Sequence, residues 1–313
     1  MYELIQEQAP QGRLGIDEMC GLSGISRAGY YRQWKAGEPK QEDMALRDRL
    51  QQLALANRHY GYRRIGVLLR REGWEANHKR VLRLLRNDNL LCLRKKAFIP
   101  VTTESRHGWR VWPNLTHGIK TSGINQLWVA DITYVRLSEQ FVYLAVVLDA
   151  HSRRVVGWAV ENSLDTTLAL RAIWMALIGR KPAPGLIHHS DRGVQYACQQ
   201  YVDVLQQHGI QISMSRVGNP YDNAKAESFM KTLKQEEING SQYRDIKHMR
   251  RSIRDFFENV YNKERLHSAL GYQSPAEFER TIASMEDSTR LVWGKGDTAP
   301  LPPHPHPQLQ YCP

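Results

Sequence analysis

The stretches "QLWVADITYVRL" (126–137) and "QFVYLAVVLDA" (140–150) decide the fold. Both are dense in Val, Ile, Leu and Tyr, residues that suit a pleated, largely buried surface. Ser138–Glu139 between them fits a tight hairpin, and "RRVVGWAVE" (153–161) makes a third strand after a turn at His151–Ser152. Further along, residues 164–179 read as a helix opening beside Asp165, and "GLIHHSD" (185–191) as a fourth strand. Residues 194–208 read as a helix and "IQISMS" (210–215) as a fifth strand, before a helix opened by "NPYDN". The order β-β-β-α-β-α-β-α predicts an α/β fold with a mixed five-stranded sheet and helices on its faces. A helix over about 244–262 follows, and "TAPLPPHPHPQLQYCP" is a Pro-rich tail, extended or disordered.

Toward the N-terminus the period changes from strand to helix. Residues 13–35 read as a short helical pair broken at Gly21–Gly24, with Ser26 as N-cap of the second helix. Residues 43–57 read as an amphipathic helix. In "YGYRRIGVLLRREGWEANHKRVLRLLRNDNLL" Ile65, Leu68 and Leu69 line one helix, and Val81, Leu82, Leu84 and Leu85 line the next. Gly73 suits a C′ position and Asn77 an N-cap. Two short helices on either side of a tight turn make a helix-turn-helix pattern. Arg63, Arg64, Arg70, Arg71, Lys79, Arg80, Arg83 and Arg86 decorate it. Such cations displace phosphate counterions on a nucleic acid, although a soluble helical hairpin with solvated arginines gives the same pattern. Residues 94–124, with a basic run and scattered Pro and Gly, read as a linker.

The charge follows this division. The chain of 313 residues has a formal net charge of +11. Residues 1–124 hold 22 Lys and Arg against 12 Asp and Glu, a net of +10; residues 125–313 hold 21 against 20, a net of +1. A basic segment joined to a balanced one suggests a polyanion-binding module attached to a working domain. The four cysteines (20, 92, 198, 312) form no CxxC pair, which argues against a zinc ribbon. No apolar run approaches the roughly 20 residues of a membrane span, and the start has no secretory pattern. A cytosolic protein with reduced thiols and no membrane partner is the expectation.

Three acids stand out by position. Asp131 sits mid-strand among apolar neighbours, where an unpaired charge is expensive. Asp191 lies at the carboxyl end of the fourth strand, the edge where open α/β sheets build ligand sites. Glu227 falls in the first turns of the helix after "NPYDN". Between Asp131 and Asp191 lie 59 residues, and between Asp191 and Glu227 lie 35. If the first and fourth strands are neighbours, the two aspartates meet and the last helix can lay Glu227 across them. Converging carboxylates repel without cations, and all-oxygen ligands favour hard ions such as Mg²⁺ or Mn²⁺. Such a site suits phosphoryl transfer with two ions. Taken singly, each acid also has a plain structural role: Asp131 as a satisfied strand acid, Asp191 as a cap for the helix at 194, Glu227 as an i,i+4 partner of Lys231.

The combination of "LWVADITYV", "LDAHSRRVVGWAV", "HHSDRGVQY", "SMSRVGNPYDNAKAESFMKTLKQE" and "YNKERLHSALGYQSPAEFE" resembles the DDE transposases of the retroviral-integrase superfamily. More closely, it resembles the OrfB type of bacterial insertion sequences with two overlapping frames, over about 15–279. "YGYRRIGVLLRREG" resembles the family's DNA-binding module. The resemblance implies an RNase H-like core and makes Asp131, Asp191 and Glu227 the catalytic, metal-binding triad. It implies two Mg²⁺ or Mn²⁺ ions with DNA bound, 3′-end cleavage and strand transfer. Its implied partners are double-stranded DNA (terminal inverted repeats and target), further copies of the chain on DNA, and an OrfA portion joined by frameshifting. The paired His188 and His189 stand where a single histidine is expected, and the His-rich tail is unusual. Adjacent on a strand, the two histidines face opposite ways.

The expected organisation is a helical segment at 1–40, a basic helix-turn-helix domain at 41–96 and a linker at 97–124. An RNase H-like core follows at 125–240, its C-terminal helical part at 241–284 and a tail at 285–313. Lys231 and Lys234 share the Glu227 helix face and are expected on DNA phosphate, with Arg63, Arg64, Lys79, Arg80 and Arg83 as further DNA contacts. Asn219, Asp222 and Asn223 read as turn formers and caps, and Asp149 as the organiser of a turn. Arg265 and His267 are divided between DNA and the fold. Two rivals remain at this point: a non-catalytic DNA-binding regulator, and an RNase H-like nuclease without joining activity.

Overall fold

A computed structural model describes residues 5, 7, 14–34, 41–92, 109–138, 140–216 and 223–293. The chain divides into two compact units, Met1–Lys95 and Lys96–Pro313; Asn219, Asp222 and the Pro-rich tail lie outside the described residues.

In the second unit the apolar stretches become β1 (Leu127–Arg136), β2 (Phe141–Asp149) and β3 (Val155–Glu161). They pair antiparallel, with Ile132 opposite Ala145 and Val146 opposite Trp158. Alternation sorts β1 between two layers. Leu127, Val129 and Val135 enter one core cluster; Trp128 and Ala130 enter the other. β4 (Ile187–Ser190) runs parallel to β1, and β5 (Gln211–Met214) parallel to β4, giving the order β3-β2-β1-β4-β5. This is the mixed five-stranded sheet the sequence predicts, with β1 at its centre.

One face is covered by α6 (Thr166–Arg180), α7 (Val194–Ala197) and α8 (Gln199–Gln207). Asp165 caps α6, accepting from the amides of Thr167 and Leu168 at 3.0 and 3.3 Å. Residues 194–208 do not form the single helix expected. Cys198 is extended (φ −66°, ψ 148°) and separates α7 from α8. Tyr196 and Tyr201, five positions apart, would point far apart around one continuous helix. The break brings both rings against His188, with centroids 6.2 and 5.5 Å away.

α6 meets β3 very closely at Gly157. A Cβ there would lie 2.2 Å from the Ala172 carbonyl oxygen and 2.9 Å from the Ala176 Cβ. The obstacle includes backbone and cannot swing aside. Gly157→Ala is therefore expected to cost about 3 kcal/mol, the upper end of ordinary overpacking, read as a lowered urea midpoint at unchanged slope.

The other face is covered by α9 (Ala224–Leu233), which widens into π-type turns over Lys234–Ile238, and α10 (Ile246–Asp255), which does the same over Phe256–Glu264. Phe229, Phe257 and Tyr261 form the aromatic centre of this layer: the Phe229 ring lies 5.8 Å from Phe257 and 5.0 Å from Tyr261. α11 (Pro275–Trp293) supplies Glu279, which pairs with Arg180 at 2.7 Å and Arg154 at 2.7 Å. Residues 109–116, within the expected linker, lie along β5. The Met214 amide donates to the Pro113 carbonyl at 3.4 Å, and the Leu115 amide donates to the Ser213 hydroxyl at 2.8 Å. Trp112 packs against the core.

The first unit contains α1 (Ile16–Leu22), α2 (Arg27–Trp34), α3 (Gln41–Ala56), α4 (Tyr62–Arg71) and α5 (His78–Asn87). Gly24 and Gly73 take φ of 66° and 85°, backbone that glycine adopts without strain. The Ser26 hydroxyl accepts from the Gly29 amide, and the Asn77 side chain accepts from the Lys79 amide. Ile65, Leu69, Val81, Leu84 and Leu85 pack with Leu46 and Leu50 of α3. Leu82, expected on the same face, is only partly buried and falls outside this cluster, because it lies about 100° around the helix from Val81 on the side away from Leu84. Arg47 and Gln51 hold Asp88, and Arg49 holds Glu72, so α3 is tied to the ends of both later helices.

Candidate active site

The parallel register of β1 and β4 pairs Val129 with His189. Two residues on from each come Asp131 within β1 and Asp191 just past the end of β4, so the register carries the two aspartates toward the same level. α9 packs on β1 from the face that Asp131 occupies, with Glu227 in its first turn.

Electrostatics expresses this convergence. Asp131 is partly buried, and its carboxyl is pushed up to about 7, first by desolvation and next by the charge of Asp191. Glu227 adds to the rise; the Ile132 amide, donating to Oδ1 at 2.9 Å, and the Lys234 ammonium oppose it. The Tyr196 hydroxyl is held well above its usual range by burial and then by Tyr201, with Asp191 and Asp131 contributing. The acids and Tyr196 therefore share one field. Among the described residues, no three Asp, Glu, His or Cys side chains form a ready metal shell. The three acids are coupled through charge without forming a closed shell.

Linkage gives this field a measurable sign. In metal-free protein Asp131 keeps its proton up to about pH 7, whereas in the unfolded chain it loses it near 3.9. The folded state thus binds more protons between those values, and this group's contribution to stability falls as pH rises through the window. Asp131→Asn removes the penalty. With EDTA present, the variant is expected to exceed the parent by about 2 kcal/mol at pH 8 and by little at pH 4. Thermal melts at the two pH values check this; an equal difference at both would contradict it.

Each acid's surroundings separate its roles. Asp191 Oδ1 accepts from the Gly193 amide at 2.9 Å and braces the turn before α7, whose N-cap is Gly193. Glu227 is exposed, and among the described residues it makes no ion pair with Lys231. Lys231 is exposed one turn on. Lys234 sits over the Tyr134 ring at 5.7 Å, within the field of Asp131.

β4 is braced from below. The His189 ring lies 2.8 Å from the Ser213 hydroxyl and 3.0 Å from that of Ser215. On the opposite side, His188 Nε2 lies 3.0 Å from the Tyr201 hydroxyl. Burial, then His189, lowers the His188 pKa to about 3, so it is neutral and serves packing.

Several readings are sharpened or corrected. Asp149 organises its turn, accepting from the amides of His151 and Ser152, and also holds the Asn125 amide at 2.6 Å. Asn223 stands at the N-cap of α9 but makes no capping bond. It donates instead to the Ala130 carbonyl at 3.1 Å, a tie from the start of α9 to β1 that local sequence does not signal. Arg265 is buried and held in a two-pronged pair with Glu236 at 2.8 Å on each prong, so it belongs to the fold. His267 joins the same cluster through the Tyr261 ring, 5.1 Å away.

In the first unit Arg63, Lys79 and Arg83 are exposed, and Arg64 and Arg80 are partly buried. Lys79, Arg83 and Arg86 recur at i, i+4 and i+7, a single exposed cationic face of α5 opposite Val81, Leu84 and Leu85. The Arg63 and Arg64 guanidiniums lie over the rings of Tyr62 and Tyr60, at 5.4 and 5.2 Å. Among the described residues no helix is long and apolar enough to cross a membrane.

Residues 122–220 and 208–275 each match a family described as an integrase core domain, and residues 41–98 match an HTH-like domain. The chain is 39% identical over 272 residues to the insertion element IS600 uncharacterized 31 kDa protein of Shigella sonnei, covering 85% of this chain and 99% of that one. It is 36% identical over 275 residues to transposase InsF for insertion sequence IS3A of Escherichia coli (strain K12), covering 86% and 95%. A solved structure of the HTLV-2 integrase catalytic core domain in complex with magnesium (dimeric form) aligns at a TM-score of 0.37 and 13% identity, over 50% of this chain and 95% of that one. With an HTH-like domain followed by an integrase core, and relatives matched along almost their whole length, the chain belongs to the IS3-family transposases of bacterial insertion sequences.

Proposed function

We propose that this transposase cleaves the 3′ ends of its element and joins them to DNA at a site held by Asp131, Asp191 and Glu227. The observation that carries the reading is the shared field at Asp131, whose proton affinity rises through Asp191 and Glu227 as well as through burial. A centre of like charge at the carboxyl end of β4 calls for a cation, and its all-oxygen donor set fits Mg²⁺ or Mn²⁺. When bound, a pair of such ions activates the attacking oxygen and stabilises the leaving oxygen of an in-line displacement.

The chain's own residues do the rest. β1 fixes Asp131, the β4–α7 turn fixes Asp191 through the Gly193 amide, and α9 carries Glu227. Lys231 and Lys234 extend along that helix as contacts for DNA phosphate beside the acids. Arg63, Arg64, Lys79, Arg80 and Arg83 of the HTH-like domain bind the double-stranded terminal repeats, so affinity falls steeply with salt. The active form is an assembly of several copies on DNA, joined with an OrfA portion.

Labelled element-end DNA, target DNA and Mg²⁺ test the reading. Joined product is expected. Nicked ends without joining would replace it with a nuclease, and binding without either product with a regulator.

A further inference from the structure

Asn223 is buried, 7% exposed, at the start of the helix that carries Glu227. Its Nδ2 donates to the Ala130 carbonyl at 3.1 Å, and Ala130 directly precedes Asp131. That bond settles the amide's orientation, because a carbonyl oxygen accepts only from the NH₂ side. The other atom, Oδ1, is buried, and among the described residues no donor reaches it. A buried acceptor left without a donor costs about 1–3 kcal/mol until one reaches it. It sits between the elements of two of the acids, one helical turn before Glu227.

We infer that Asn223 Oδ1 is a substrate-contacting atom of the active site, accepting a hydrogen bond from the attacking hydroxyl. This rests on the strand-transfer reading above. Phosphate oxygens have no proton to give, so DNA backbone cannot satisfy the atom. The two nucleophiles of the proposed reaction, water in cleavage and a 3′-hydroxyl in joining, both carry one. An amide oxygen is too weakly basic to take the proton away. Its contribution is orientation: it fixes the O–H so that a lone pair faces phosphorus, the kind of alignment whose loss costs up to about a hundredfold in rate.

The test uses the full chain and an end DNA already bearing a free 3′-hydroxyl, under single-turnover conditions at saturating DNA. Asn223→Ala is expected to slow joining about 10- to 100-fold. The Kd for end DNA, the Mg²⁺ concentration at half-maximal rate and the folded fraction at the assay temperature should stay as in the parent. Asn223→Leu, similar in size and without a polar atom, should behave alike. A parental rate in Asn223→Ala overturns the assignment, as does a loss that follows the loss of folded protein. A raised Mg²⁺ midpoint would overturn it in favour of a cation ligand, and a weakened Kd in favour of a base contact. A parent protein that joins no DNA sinks the functional reading itself, an outcome distinct from all of these.

Discussion

Asp191→Asn is expected to reduce strand joining by about a thousandfold, with element-end binding unchanged. The substitution keeps the side chain's shape and its acceptor for the Gly193 amide, which lies 2.9 Å from Oδ1. It removes the charge that acts on Asp131. The turn before α7 should therefore hold while the proposed cation site loses a ligand. Losing several kcal/mol of transition-state stabilisation, the scale of a bound metal's contribution, amounts to about three decades of rate. In the proposed reading DNA is held by the cations of the HTH-like domain and by Lys231 and Lys234, none of which the change touches. Joined product measured at saturating DNA, with Kd measured in parallel, checks both halves.

Arg265→Ala is expected to destabilise the protein by about 3–5 kcal/mol, because it strands a buried carboxylate. Arg265 is 6% exposed, and the Glu236 side chain is 10% exposed. Both prongs of the pair are 2.8 Å, and the guanidinium lies 5.7 Å from the Tyr261 ring centre. For a unit of this size the loss corresponds to a fall of about 10 °C in Tm. Glu236→Gln in the Arg265→Ala background should recover part of it, since a neutral amide tolerates burial better than a lone charge. A double-mutant cycle in thermal melts measures the coupling; additive losses would mean that the pair does not act as a unit.

These two residues also mark how far the sequence could be read. Asp131 and Asp191 were legible because strand alternation and parallel pairing are regular: once β1 and β4 are neighbours, the register carries both acids toward the same level. The place of Glu227 in a first helical turn was legible from the turn-forming residues before it. Arg265 was divided between two readings because its partner lies 29 residues away on another element. Asn223 read as a cap, as asparagine before a helix usually does. Its actual acceptor, the Ala130 carbonyl, is 93 residues distant, and no local pattern announces such a tie. Residues 109–116 belong to the stretch 94–124, whose scattered Pro and Gly indicate a linker. That reading describes irregular backbone correctly and says nothing about packing, and the segment lies along β5. Cys198 carries no breaker signal; the helix parts there because both tyrosines are buried against His188.

In the proposed site Asp131, Asp191 and Glu227 together hold a hard divalent cation. Mn²⁺ binding followed by electron paramagnetic resonance, with end DNA present, tests it most directly. Saturable Mn²⁺ uptake by the parent protein is expected, weakened at least tenfold by Glu227→Gln and by Asp191→Asn, and competed by Mg²⁺. Mn²⁺ uptake by both variants at the parent's affinity would contradict it.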